Sequence, residues 1–145
     1  MKTIVVCSSV SFYQQVIEVE KELGVLGYKV IVPKTAHIMR DRNDFEVSHY
    51  KTWFADDNDY HKKGKLMRAH FDEISKGDAV LVLNHEKHSQ PNYIGGNVLL
   101  EMGLAFYLNK PIYILNDLPE ASSFLEEIRG FEPIVLHGQL SKLRV

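Results

Sequence analysis

The sequence has little cysteine, little net charge and no long apolar run. Its single cysteine, Cys7, excludes an internal disulfide and any cysteine-rich zinc module among 145 residues. Seventeen Lys and Arg against nineteen Asp and Glu leave a formal charge of -2. That balance argues against nucleic acid or an anionic membrane as the main partner. No apolar stretch approaches the roughly 20 residues of a membrane span. The apolar start from Met1 to Cys7 is too short for the apolar core of a signal peptide. Glycine is missing from the turn Cys7-Ser8-Ser9-Val10-Ser11, and no Gly-Lys-Ser/Thr follows it. Dinucleotide-fingerprint and P-loop readings lose most of their weight on that ground. No internal repeat or low-complexity tract is present.

What is present fills one core. Hydrophobic residues make up 45% and charged residues 25%, so a disordered chain is excluded. The length and even composition predict a single domain over residues 1–145, soluble and cytoplasmic. Short runs of β-branched and apolar residues recur at Thr3–Cys7, Lys29–Val32, Ala79–Leu83, Pro111–Leu115 and Pro133–Leu136. Each is apolar on both alternating faces, the mark of a strand covered on both sides. Helix-length segments lie between them, at Phe12–Leu26 with Ser11 placed to cap it, Tyr60–Ser75, Gly96–Asn109 and Ala121–Arg129. The alternation predicts an α/β fold. It is a three-layer αβα sandwich around a parallel sheet of about five strands, flavodoxin- or Rossmann-like. Lys34 to Asp59 has no clean period and carries large rings, including Tyr50 and Trp53. It reads either as a lid or as a surface excursion with a helical turn or two.

Chemistry concentrates at two places. The segment from Gly96 to Leu108 is apolar nearly all round, which predicts burial on most sides, yet Glu101 sits in its first turns. A buried carboxylate needs a partner or a purpose. Gly95-Gly96 ahead of it frees helix N-terminal amides and admits a ligand closely. In open α/β sheets, ligands bind beyond the carboxyl ends of strands where the strand order reverses. The loops after the first and third strands are therefore expected to face each other. They supply the hydroxyls of Ser8, Ser9 and Ser11, together with Asn84, Asn92, Tyr93 and Asn97. Asn116 and Asp117, at the end of the fourth strand, either line the same crevice or cap a turn. On the second long helix, a wheel at about 100° per residue gathers Leu66, Met67, His70, Phe71 and Ile74, with Asp72 opposite. His70 is thus a titratable group on the inner face, as a site residue or a core histidine. His85 and His88 have no partner ligands at fixed spacing and read as a solvated loop, so no metal is expected. Cys7 reads as a small buried thiol.

The order of these pieces resembles the nucleoside 2-deoxyribosyltransferase family and its relatives, the 2′-deoxynucleoside 5′-phosphate N-hydrolases. The resemblance is carried by the first strand ending in Ser8-Ser9 and by the helix into Gly27-Tyr28-Lys29-Val30. Ile74-Ser75-Lys76-Gly77-Asp78 follows before Ala79-Val80-Leu81-Val82. Most specific is Asn92-Tyr93-Ile94-Gly95-Gly96-Asn97, continuing through Glu101-Met102-Gly103-Leu104-Ala105 to Lys110-Pro111-Ile112. By this resemblance Glu101 stands at the place of the catalytic nucleophile. Ser9 matches a serine that helps hold a 5′-phosphate in the hydrolase branch. Two acidic places of the transferase pattern differ: Asn92 and Gly95 occupy one, and His70 replaces an aspartate used in leaving-group protonation.

The resemblance implies nucleotide metabolism and salvage. Its chemistry is an N-glycosidase or transferase reaction on a (deoxy)ribonucleoside or nucleoside monophosphate, through a glycosyl-enzyme intermediate and without a cofactor. His70, or a water it holds, protonates the leaving base, and Tyr50 and Trp53 stack on it. It also implies a homo-oligomer, a dimer or larger. A non-catalytic nucleotide-binding or sensing domain on the same scaffold is the alternative.

Overall fold

The computed structural model describes residues 1–145 and has five parallel strands flanked by five helices. In chain order these are β1 (Thr3–Ser8), α1 (Tyr13–Val25), β2 (Lys29–Ile31), α2 (Lys34–Arg42), α3 (Tyr60–Lys76), β3 (Ala79–Leu83), α4 (Gly96–Tyr107), β4 (Ile112–Ile114), α5 (Leu125–Gly130) and β5 (Ile134–Val135). The sheet order is β2-β1-β3-β4-β5. This is the doubly wound, flavodoxin-like arrangement, and its order reverses between β1 and β3.

Alternation along the strands divides the core in two. Ile4 and Val6 of β1, Ala79, Leu81 and Leu83 of β3, and Tyr113 of β4 pack on α1 and α2. Leu136, Leu140 and Leu143, after β5, complete that layer. Val5, Cys7, Val80, Val82, Ile112 and Ile114 point the other way, onto Ile74 of α3, Val98, Met102 and Ala105 of α4, and Ile128 of α5. Cys7 therefore faces the same helices that carry His70 and Glu101. Gly77, between α3 and β3, is required by packing: a Cβ there would meet Val5 Cγ2 at 2.4 Å.

Four sequence expectations need correction. Lys34–Arg42 is a full helix, α2, where the sequence reads a lid or a surface excursion with a helical turn or two; only Ala36 and Met39 are buried in it, which leaves no period. The helix expected over Ala121–Arg129 is only Leu125–Gly130. Ser11 does not cap α1; a 3-10 turn at Val10–Phe12 precedes that helix, and Ser9 accepts the bond from Ser11 N. Nor is α4 buried on most sides. Val98, Glu101, Met102 and Ala105 face inward, while Leu100, Phe106 and Tyr107 are exposed. No helix is long and apolar enough to cross a membrane.

Candidate active site

A cavity of about 190 Å³ opens where the strand order reverses. Its floor is set by the ends of β1 and α4. Ser8 is buried and its Oγ donates to the Ser9 carbonyl at 2.7 Å. Ser9 Oγ accepts from Lys87 Nζ at 3.0 Å, which ties the β1 loop to the loop after β3. That second loop is folded on itself, with Lys87 and Gln90 bonded backbone to backbone in both directions. It brings Tyr93 against Gly95, where an added Cβ would lie 3.0 Å from the phenol oxygen. Gly96 opens α4, and Gly95, Gly96 and Asn97 all border the cavity.

Glu101 lies one turn beyond Asn97 and is 4% exposed. Its Oε1 accepts from Asn97 Nδ2 at 2.7 Å, and Asn97 Oδ1 accepts in turn from Lys63 Nζ at 3.0 Å. Its Oε2 is buried without a hydrogen-bond partner. Beside that oxygen stands His70 Nε2 at 3.5 Å, on the inner face of α3 as the wheel predicts, with Asp72 exposed on the opposite side. Leu66 and Met67, on the same face, line the cavity and not the core.

Burial dominates the electrostatics. It pushes the Glu101 carboxyl up to about 7, against the opposing pull of the Cys7 thiol, the Lys63 charge and the Asn97 amide. Burial also lowers the His70 imidazole, opposed by a bond to the Val6 backbone and by the charge of Glu73. Both groups of the pair are thereby driven toward their neutral forms.

The walls come from the segment without a clean period. Trp53 is buried in a 3-10 turn at Thr52–Phe54, and Tyr50 is anchored by its hydroxyl to the Asp44 carbonyl at 2.8 Å. Both line the cavity. Four lysines, Lys34, Lys51, Lys63 and Lys87, line it too, against only two carboxylates, Glu73 and Glu101. Lys63 lies over the Trp53 ring at 5.8 Å and Lys87 over Tyr93 at 5.1 Å. Burial lowers the pKa values of Lys51, Lys63 and Lys87, and the charge of Lys51 adds to the lowering at the other two. Sequence reasoning missed these lysines. Lys63 alone had a signal, standing seven residues before His70 on the same helical face.

Ser8, Ser9, Tyr50, Trp53, His70, Tyr93, Gly95, Gly96, Asn97 and Glu101 are brought together at the cavity. Five other expected residues are not. Ser11 is exposed on its 3-10 turn, outside the cavity lining. Asn84 is fully buried and structural: its amide donates to the Asp117 carbonyl and its oxygen accepts from Asn116 N, both at 2.9 Å. Asn92, Asn116 and Asp117 border a separate hollow with His137. The reason is topological: β4 flanks β3 on the side away from β1, so its end points away from the reversal. His85 and His88 hold no metal arrangement; they pack edge-on against Phe12 and Tyr93.

No protein-family model matches the chain, and no curated protein does. Among solved structures it is similar to FerB, a flavoenzyme NAD(P)H:(acceptor) oxidoreductase from Paracoccus denitrificans. The likeness covers 93% of this chain and 75% of that one, at 15% identity and a TM-score of 0.47.

Proposed function

We propose that the protein cleaves or transfers at the N-glycosidic bond of a (deoxy)ribonucleoside monophosphate, with Glu101 as nucleophile. The observation that carries this reading is the buried Glu101 carboxylate at the cavity floor, with Oε1 fixed by Asn97 and Oε2 free. A non-catalytic binder gains nothing from such a group, whose burial opposes ionisation. Glu101 Oε2 attacks the anomeric carbon, the bond from that carbon to the base nitrogen breaks, and its electron pair leaves with the base. The protonated form of His70, which burial makes the minor one, passes its proton to the base through a water it holds and is left neutral. The resulting glycosyl ester is opened by water or by a second base, with neutral His70 accepting the proton.

The lysines favour a phosphorylated substrate over a free nucleoside. Lys34, Lys51, Lys63 and Lys87 concentrate positive charge around one opening, and Lys87 already holds the Ser9 hydroxyl. Trp53 and Tyr50 border the cavity as the aromatic walls against which the base would pack.

Chromatography for free base tests the reading. The metal-free protein is incubated with deoxynucleosides and with their 5′-monophosphates, with and without an acceptor base. Base release that is faster from the monophosphates supports it. Tight binding without any release from either class overturns it in favour of a binding domain.

A further inference from the structure

Three donor groups from three separate elements converge beneath the cavity floor. Cys7 Sγ of β1 lies 3.8 Å from His70 Nε2 of α3, which lies 3.5 Å from Glu101 Oε2 of α4. All three donor atoms fall within 4.8 Å of one another, and all three residues are buried. A tetrahedral zinc, with bonds of about 2.3 Å to sulfur and about 2.1 Å to nitrogen or oxygen, spaces such donors about 3.4–3.6 Å apart. The Cys7–His70 and His70–Glu101 spacings lie a few tenths of an ångström from that geometry, and the third spacing is no more than 4.8 Å.

The same three residue types could form a nucleophilic relay, but their arrangement speaks against it. A relay uses the two ring nitrogens separately, one toward the thiol and one toward the carboxylate. Here one nitrogen, Nε2, faces both partners. Cys7 also does not border the cavity, whereas His70 and Glu101 do. Convergence of thiol, imidazole nitrogen and unpartnered carboxylate oxygen is instead the arrangement a shared cation uses.

We propose that Cys7, His70 and Glu101 form a three-ligand site for one zinc-class divalent ion, with a fourth position open toward the cavity. The donor set of thiolate, imidazole and carboxylate selects zinc or cobalt over magnesium or calcium. On binding, the thiol proton, and the carboxyl proton wherever Glu101 is protonated, pass to solvent as the sulfur–metal and oxygen–metal bonds form. Thiolate and carboxylate then cancel the charge of the ion, and the buried site is neutral. His70 and Glu101 line the cavity, which supplies the entry path. The site does not depend on the glycosidic reading. If that reading holds as well, the metal and the substrate compete for the same oxygen of Glu101.

The experiment is titration of the untagged, metal-stripped chain with Co²⁺ alone and then Zn²⁺ alone, followed by absorption. The expected result is one equivalent of Co²⁺ bound, with intense four-coordinate visible bands and a thiolate-to-cobalt charge-transfer band, all bleached by Zn²⁺. Cys7→Ser loses the charge-transfer band and binds Zn²⁺ at least about a hundredfold more weakly. The spectrum of the unaltered chain decides the matter even if that variant does not fold. Absence of the charge-transfer band at stoichiometric Co²⁺, or equal Zn²⁺ affinity in parent and folded variant, overturns the proposal.

Discussion

Asn97 holds Glu101: its amide donates to Oε1 at 2.7 Å from one helical turn earlier, leaving Oε2 as the only free oxygen. Because Asn97 also accepts from Lys63, a cation outside the floor is coupled to the carboxylate inside it.

Glu101 weakens the fold near neutral pH. Its carboxyl titrates at about 7 in the folded chain, against 4.5 as its ordinary value. The unfolded chain therefore ionises first, and stability falls as pH rises from about 4.5 to about 7. Glu101→Gln removes that loss. In metal-free protein at pH 8, denaturant unfolding should show the variant more stable by about 1–3 kcal/mol. A variant less stable than the parent would show that the carboxylate is a structural asset.

Lys63 assists ionisation of Glu101. Its charge pulls the Glu101 pKa down, so Lys63→Met should raise it further. The rising limb of kcat/KM, which reports the carboxylate of the free enzyme, should move to higher pH in the metal-free variant. A limb that stays in place would leave Lys63 as a packing residue against Trp53.

The proposed mechanism gives His70 the task of protonating the leaving base. His70→Ala should slow poor leaving groups by about 10²–10⁴-fold and spare nucleotides whose bases depart without a proton. Equal losses on both kinds of substrate would make His70 a positioning residue only.

Zinc should silence the reaction by occupying Glu101. One equivalent should abolish base release and EDTA should restore it, while Cys7→Ser stays active at zinc concentrations that stop the parent. Zinc inhibition of parent and variant alike would place the inhibitory ion elsewhere.

Legibility in the sequence followed burial. β3 is read residue for residue at Ala79–Leu83 because both of its faces are covered between β1 and β4. The edge strands β2 and β5 come out shorter than their apolar runs, with neighbours on one side only. α2 hides because two buried residues in nine give no period. Glu101 and His70 stand out as polar groups on apolar faces, and both reach the cavity. Of the two readings open for Asn116 and Asp117, the crevice is the one that fails, because strand order is not visible in a list of strands. The lysines were missed for another reason: long flexible side chains at irregular spacing carry no period. The meeting of Cys7 with His70 and Glu101 was equally hidden, since it depends on which face of β1 packs on α3 and α4.

The most direct measurement compares base release from 2′-deoxynucleoside 5′-monophosphates by the metal-free parent and by Glu101→Gln. The account predicts steady release by the parent and a rate lower by orders of magnitude in a folded variant. A folded Glu101→Gln that releases base at the parental rate, or a parent that releases none, would contradict it.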